Sequence, residues 1–109
     1  MTDTHTFADG RKLLADGARD MFRAFAAFDT AVLKSDSAIP SKYKELMAVA
    51  VALTTQCEGC LRGHSAAAVA AGASQEELAE TVHIAAALRA GGAMYHGVTY
   101  VLPAVDGHA

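Results

Sequence analysis

Between Met21 and Val32 the apolar residues Met21, Phe22, Phe25, Phe28 and Val32 recur at three- and four-residue steps, tracing one stripe of an amphipathic helix. That helix is the second of two expected within residues 7–34, and its phenylalanines read as core or subunit-interface residues, with a ligand cleft as the alternative. The segment from Lys34 to Pro40, KSDSAIP, breaks the period and reads as a connection. Helix formers resume at Ser41. The stretch SKYKELMAVAVALTT, residues 41–55, is polar for one turn and then almost wholly apolar, which predicts a mostly buried helix. A short break near Gln56 leads into a helix over about residues 57–71, with Gly72 placed to be its left-handed cap. Ser74 and Glu77 form a capping box for a helix running through LAETVHIAAALRA to Gly91-Gly92. After those glycines, AMYHGVTYVL predicts a shorter last helix stopped by Pro103. No segment has the alternation and turn signals of a hairpin, and no internal repeat is present. The expected fold class is all-α.

Composition strengthens this. Of 109 residues, 25 are alanine, the best helix former and small enough for helices to approach closely. The length suits a single domain over 1–109, with its core over about 38–98 preceded by the N-terminal helices. Hydrophobic residues make up 52%, more than so small a domain buries easily, so a homo-oligomer is expected. A net charge of −3 gives no basic footprint for nucleic acid and no polybasic membrane patch. The N-terminal MTDTHTFADG lacks the basic and apolar regions of a secretory signal, and no apolar run reaches the roughly 18–20 residues that span a bilayer. A cytoplasmic protein is expected. In a reducing compartment a close cysteine pair points to chemistry or metal binding rather than to a structural staple.

The chain's two cysteines stand in CEGCLRGH, residues 57–64. Steps of three and four residues put Cys57, Cys60 and His64 along one helix face. Both sulfurs fall at or just before the first turn, where free N–H groups and the positive end of the dipole favour a thiolate. A disulfide closed there forms a tiny loop, adds little stability, and is useful for its reversibility. His64, one turn beyond Cys60, can accept or return a proton. If residues 41–55 and 57–71 form a helical hairpin turning at Gln56, Glu45 lies about three residues, or about 4.5 Å of rise, from His64. Cys60 is then about 10 Å away along the axis, so a relay from Glu45 through His64 or a water to Cys60 is easier to build than direct contact. A glutamate early in a helix also has the ordinary role of favouring the dipole.

Glu45, eleven residues, Cys57-x-x-Cys60, three residues and His64 resemble the core motif of the alkylhydroperoxidase D-like (AhpD-like) branch of the carboxymuconolactone decarboxylase superfamily. The resemblance covers roughly residues 38–98, including KELMAVAVAL, HSAAAVAAGAS and the Gly-Gly…His96-Gly97 ending. It implies a helical, obligately homo-oligomeric protein, often a trimer or hexamer. It also implies thiol-dependent peroxidase or disulfide-reductase activity without a bound cofactor or metal, with a hydroperoxide substrate and a dithiol reductant of protein or lipoyl type. By position, Cys60 resembles the peroxidatic cysteine, Cys57 the resolving cysteine that meets the reductant, and Glu45 and His64 the proton relay. The sequence departs from the founding enzyme in two ways. It lacks that enzyme's added N-terminal helical region, and it has Gly59 where a histidine stands between the cysteines.

Other readings compete. The cysteines could be inert packing residues, or zinc ligands if Glu45, His83 or His96 supplied a fourth donor. An oligomeric redox sensor or partner-binding protein would form the same disulfide but turn over slowly. A carboxymuconolactone decarboxylase-type lyase belongs to the same superfamily but does not generally rely on this pair. His83, in an apolar stretch, reads as a hydrogen-bonded core or interface residue, and His96 could line the pocket. His5 and His108 belong to the termini. Arg62 and Arg89 could attract an anion but more often serve as solvated or subunit contacts, and Tyr95 and Tyr100 suit a subunit boundary.

Overall fold

A computed structural model describes residues 6–107, so His5 and His108 lie outside the described residues. It contains α1 (Phe7–Gly17), α2 (Arg19–Leu33), α3 (Ser41–Thr55), α4 (Glu58–Ala70) and α5 (Gln75–His96). A π-helical turn over Gly97–Val101 and a 3-10 turn over Leu102–Asp106 follow. There is no strand among the described residues, in line with the all-α expectation. The chain divides into two units, one ending at Ser37 and one beginning at Ala38.

The first unit is the pair α1 and α2. Thr6 starts α1 with a reciprocal cap. Its hydroxyl accepts the Asp9 N–H and the Asp9 carboxylate accepts the Thr6 N–H, both at 3.1 Å. The Arg11 guanidinium lies 5.6 Å from the centre of the Phe22 ring, joining the helices by a cation–π contact. Neither helix contains a buried residue. Phe25 and Phe28, candidates for the core from their spacing, are exposed. Two helices have one mutual interface, and the rest of an apolar stripe wider than that interface stays open.

The second unit packs α3 against both α4 and α5. Its buried apolar residues are Leu46, Val49 and Ala52 of α3, Ala68 of α4 and Ala85 of α5, three of them alanines. Side chains this small let helix axes come close, at the cost of little apolar area removed from water per residue. Only one face of α3 is covered, so Met47 and Val51 are exposed and the helix is less buried than its apolar run leads one to expect. Two neighbouring helices cannot enclose a third on all sides.

Gln56 ends α3 in the left-handed conformation, φ 57°. Its N–H and that of Cys57 both reach the Ala52 carbonyl. Gly72, at φ 102°, closes the end of α4 as expected, and the Ala73 N–H bonds back to the Ala68 carbonyl at 2.9 Å. The Ser74–Glu77 capping box forms, with bonds of 3.1 Å to the Ser74 hydroxyl and 2.9 Å to the Glu77 carboxylate. One boundary differs from expectation: α5 runs straight through Gly91 and Gly92 to His96. Glycine ends a helix where the chain needs a left-handed residue. Inside a continuing helix it only costs about 1 kcal/mol against alanine, which flanking Ala90 and Ala93 tolerate. The regular α period gives way at Gly97 instead. No helix among the described residues is long and apolar enough to cross a membrane.

Glu77 also joins α5 to α3. Its second carboxylate oxygen lies 3.0 Å from the Lys42 ammonium, with both side chains roughly a quarter to a third exposed (26% and 31%). The Ser74 backbone N–H, and then Lys42, hold the Glu77 carboxyl below its usual value, while the hydrogen bond to Glu77 raises the Lys42 pKa. A depressed carboxylate contributes stability above its unfolded pKa, 4.5, and loses it as pH falls through the lower folded value. A raised lysine contributes below 10.5 and loses it as pH rises through the higher folded value. Replacing Lys42 with methionine is therefore expected to lower Tm most between these two limits, with wild type and variant converging at either extreme in thermal melts across pH. Removing the Ser74 cap by Ser74→Ala is expected to cost about 1 kcal/mol, read as a lower urea midpoint at unchanged m-value.

Candidate functional site

Cys57 is the N-cap of α4 and Cys60 stands in its first turn, so the helix begins one residue later than the spacing suggested. The two sulfurs are joined in a disulfide, with Cα atoms 5.2 Å apart. The Cys60 backbone N–H points at the Cys57 sulfur, 3.3 Å away. A sulfur here takes the place of the serine or aspartate oxygen that usually caps a helix. The positive helix end thus acts first on Cys57, a distinction that spacing alone did not make. Both cysteines are half-buried, which leaves the disulfide within reach of a small reagent.

His64 follows Cys60 by one turn of α4. Its Nδ1 lies 2.7 Å from Glu45 Oε2 on α3, a bond between residues nineteen apart in sequence. Glu45 is only 3% exposed, while His64 keeps about a quarter of its side chain in solvent (23%). The dipole explanation for Glu45 does not suit this geometry, because Glu45 lies beyond the first turn, which holds no acidic residue. It sits instead on the face shared with Val49 and Ala52, buried at intervals of four and three residues. A carboxylate so placed needs a strong hydrogen-bond donor, and the imidazole supplies one. With Glu45 ionised, Nδ1 carries the proton and Nε2 is left to exchange one.

The structure joins the four predicted residues as two separate bonded pairs: Cys57 with Cys60, and Glu45 with His64. The other candidates lie differently. His83 is exposed, with Nδ1 2.9 Å from the Ala79 carbonyl of its own helix, so it is hydrogen-bonded but is no core residue. His96 ends α5 between the rings of Tyr95 and Tyr100, at 5.9 and 5.8 Å, and all three are exposed. Arg62 is held by Glu58 at 2.7 Å, and Arg89 reaches towards the Leu53 carbonyl. No three histidine, cysteine, aspartate or glutamate side chains among the described residues gather as a metal-binding group. Gly59, between the cysteines, has nothing within 4 Å of where a Cβ would stand. A Cβ there would meet no neighbouring atom. A groove of about 380 Å³ in the first unit is lined by Phe7, Ala8, Arg11, Lys12, Ala15 and Phe22 and contains no sulfur. Chemistry, not volume, locates the site.

A protein from Paracoccus denitrificans, described as uncharacterized protein 4 in cox locus, is 40% identical over 93 residues, covering 78% of this chain and 84% of that one. An uncharacterized protein of Cupriavidus necator is 39% identical over 61 residues, covering 55% of this chain and 54% of its own. The model of the carboxymuconolactone decarboxylase family matches residues 19–102, a span that takes in α2 as well as all four residues of the site. By that match the chain belongs to the carboxymuconolactone decarboxylase family.

Proposed function

We propose that the protein is a thiol oxidoreductase of AhpD-like type, reducing an organic hydroperoxide at the expense of a dithiol, and that it works as a homo-oligomer, a trimer or hexamer. The observation that carries this reading is the closed Cys57–Cys60 disulfide at the head of a helix whose next turn holds His64 against buried Glu45. A disulfide between an N-cap and the first turn spans only three residues and constrains little of the unfolded chain, so its use lies in opening and closing.

The cycle balances as follows. In the reduced protein the Cys60 thiolate attacks the terminal peroxide oxygen. The O–O bond breaks, the alkoxide leaves with a proton delivered through His64, and Cys60 becomes a sulfenic acid. The Cys57 thiolate attacks the Cys60 sulfur, the S–S bond forms, and the hydroxide leaves as water with a second proton. An external dithiol reduces the disulfide through a mixed disulfide and is itself oxidised to a disulfide. Glu45 touches none of the reacting atoms and acts as a positioning residue. It fixes the ring orientation and tautomer of His64 and stabilises the imidazolium while a proton is in transit. The Cys60 N–H supports the attacking Cys57 thiolate, so each sulfur has its own aid: an amide for Cys57, an imidazole for Cys60.

Mass spectrometry after one equivalent of hydroperoxide, with a sulfenic-acid trap present, tests the assignment. Cys57→Ser is expected to hold a trapped sulfenic acid on Cys60, and Cys60→Ser to take up no oxygen and lose turnover. Full turnover by Cys60→Ser would overturn the reading, and one oxidation without turnover on a dithiol would favour a sensor. Second, His64→Ala is expected to slow the peroxide step by about 10²–10⁴. Glu45→Gln is expected to slow it less and to shift the pH profile of the rate. In the double variant Glu45 should add little to the loss of His64, because it acts through that ring. Stopped-flow oxidation across pH provides the measurement.

A further inference from the structure

In the second unit Lys42 meets Glu77 at 3.0 Å and Arg62 meets Glu58 at 2.7 Å. Arg89 of α5 is exposed and meets no carboxylate among the described residues. Its guanidinium donates from Nη1 to the Leu53 carbonyl at 3.5 Å, longer than the roughly 2.7–3.2 Å usual for such a bond. A guanidinium carries five donors in a planar fork, so most of this one is left for another acceptor. Beside it lies a pocket of about 190 Å³, whose other lining residues are Leu53 of α3 and Val82, Ala85 and Ala86 of α5. All four bear hydrocarbon side chains. The volume is below the roughly 300–1,000 Å³ of pockets that enclose a whole ligand, and it suits a short hydrocarbon segment. The pocket stands at the disulfide end of α3. Leu53 follows Ala52, whose carbonyl accepts the Cys57 N–H at 3.1 Å, so the peptide unit leading into Leu53 touches the backbone of Cys57. The four residues from 53 to 57 span at most about 14 Å even when extended, and the left-handed turn at Gln56 folds that path back.

We infer that Arg89 is a specificity-determining residue that binds the carboxylate of a small organic-acid substrate, whose alkyl chain lies against Leu53, Val82, Ala85 and Ala86. A cation beside hydrocarbon walls is the complement of a carboxylate on an alkyl chain. A single planar fork matches one carboxylate through two parallel N–H···O bonds, and the walls offer nothing to a second charge. The binding site stands on its own geometry, while its assignment to a substrate rests on the proposed thiol cycle. Either substrate of that cycle, the hydroperoxide or the dithiol, is able to carry the acid, and kinetics distinguishes the two.

Binding is read first, on the oxidised full chain, by chemical-shift perturbation with hexanoate and with hexanamide as its neutral control. Hexanoate is expected to shift the resonances of Leu53, Val82 and Ala86 and hexanamide to shift them far less. Arg89→Gln is expected to weaken hexanoate by about tenfold, with Arg89→Lys between the two because it keeps the charge and loses the fork. Ala86→Leu narrows the pocket without altering the guanidinium. It is expected to weaken hexanoate more than acetate, and it reads the site even if Arg89→Gln fails to fold. Turnover is then compared for hydroperoxyhexanoic acid against its amide, and for dihydrolipoate against dihydrolipoamide. In Arg89→Gln the acid-to-amide ratio of kcat/KM is expected to fall by about tenfold, through KM, in the arm whose substrate carries the acid. No hexanoate shifts, equal binding by wild type and Arg89→Gln, or an unchanged ratio in both arms would overturn the inference alone. A fall in kcat shared by acid and amide would also overturn it, making Arg89 a support for the end of α3. Hexanoate bound through Arg89 in a protein whose thiols turn over neither substrate would overturn the proposed function and leave the carboxylate site standing.

Discussion

The site depends on the hydrogen bond between Glu45 and His64. A carboxylate 3% exposed, in a core of alanine, leucine and valine, persists only where a donor meets it. His64 bonds to it at 2.7 Å, and because it comes from a different helix the bond ties the register of α4 to that of α3. A slide of one residue moves a side chain by about 1.5 Å along the axis, enough to break a contact of 2.7 Å. Once α4 is in register, the positions of Cys57 and Cys60 follow. Gln56 makes this possible by taking a left-handed conformation that lets α4 begin with only two residues between it and the end of α3.

Alanine sets the balance of the rest. Ala52, Ala68 and Ala85 let α3, α4 and α5 approach closely enough for a glutamate and a histidine to bond across them. The same small side chains bury little area, and the larger apolar residues remain outside, among them Met47, Val51, Ile84 and Leu88 in the second unit. A composition chosen for close helix contact thus yields a bonded polar pair inside and an apolar surface outside. Contacts between copies would then complete the hydrophobic burial that the single chain leaves unfinished.

What was legible in the sequence follows the range of the interactions. The capping box at Ser74 and Glu77, the left-handed Gly72 and the helix over residues 41–55 are decided within a few residues, and local spacing reads them correctly. The family resemblance was legible because it rests on four residues at fixed intervals. The failures all involve the surroundings. Gly91-Gly92 looked like a stop because glycine is a poor helix former, but nothing there demands a left-handed turn. Met47 and Val51 look buried in a run of apolar residues, yet which face of a helix is covered depends on how many neighbours it has. His83, read as a hydrogen-bonded core or interface residue, has its hydrogen bond but is exposed in the single chain, which removes the core half of that reading alone. Glu45 could be read as a dipole partner or as a relay; its place beyond the first turn of α3 disfavours the first, and the position of α4 supplies its hydrogen bond to His64.

The two sulfurs, equivalent in the motif, are made unequal by geometry. The amide of Cys60 can reach back to Cys57 but not to its own side chain, so capping favours the first sulfur. His64 is four residues beyond Cys60 and seven beyond Cys57, so on a helix the imidazole is nearer in rise to the second. An amide stabilises a thiolate without exchanging its proton, which suits a sulfur that must attack or leave. An imidazole can pass a proton on, which suits the sulfur at which an alkoxide is released. The division of roles in the proposed cycle is the one the family motif implies, and the start of α4 and the turn that bears His64 are compatible with it. The open space at Gly59 leaves the second turn's histidine as the base that the motif itself supplies.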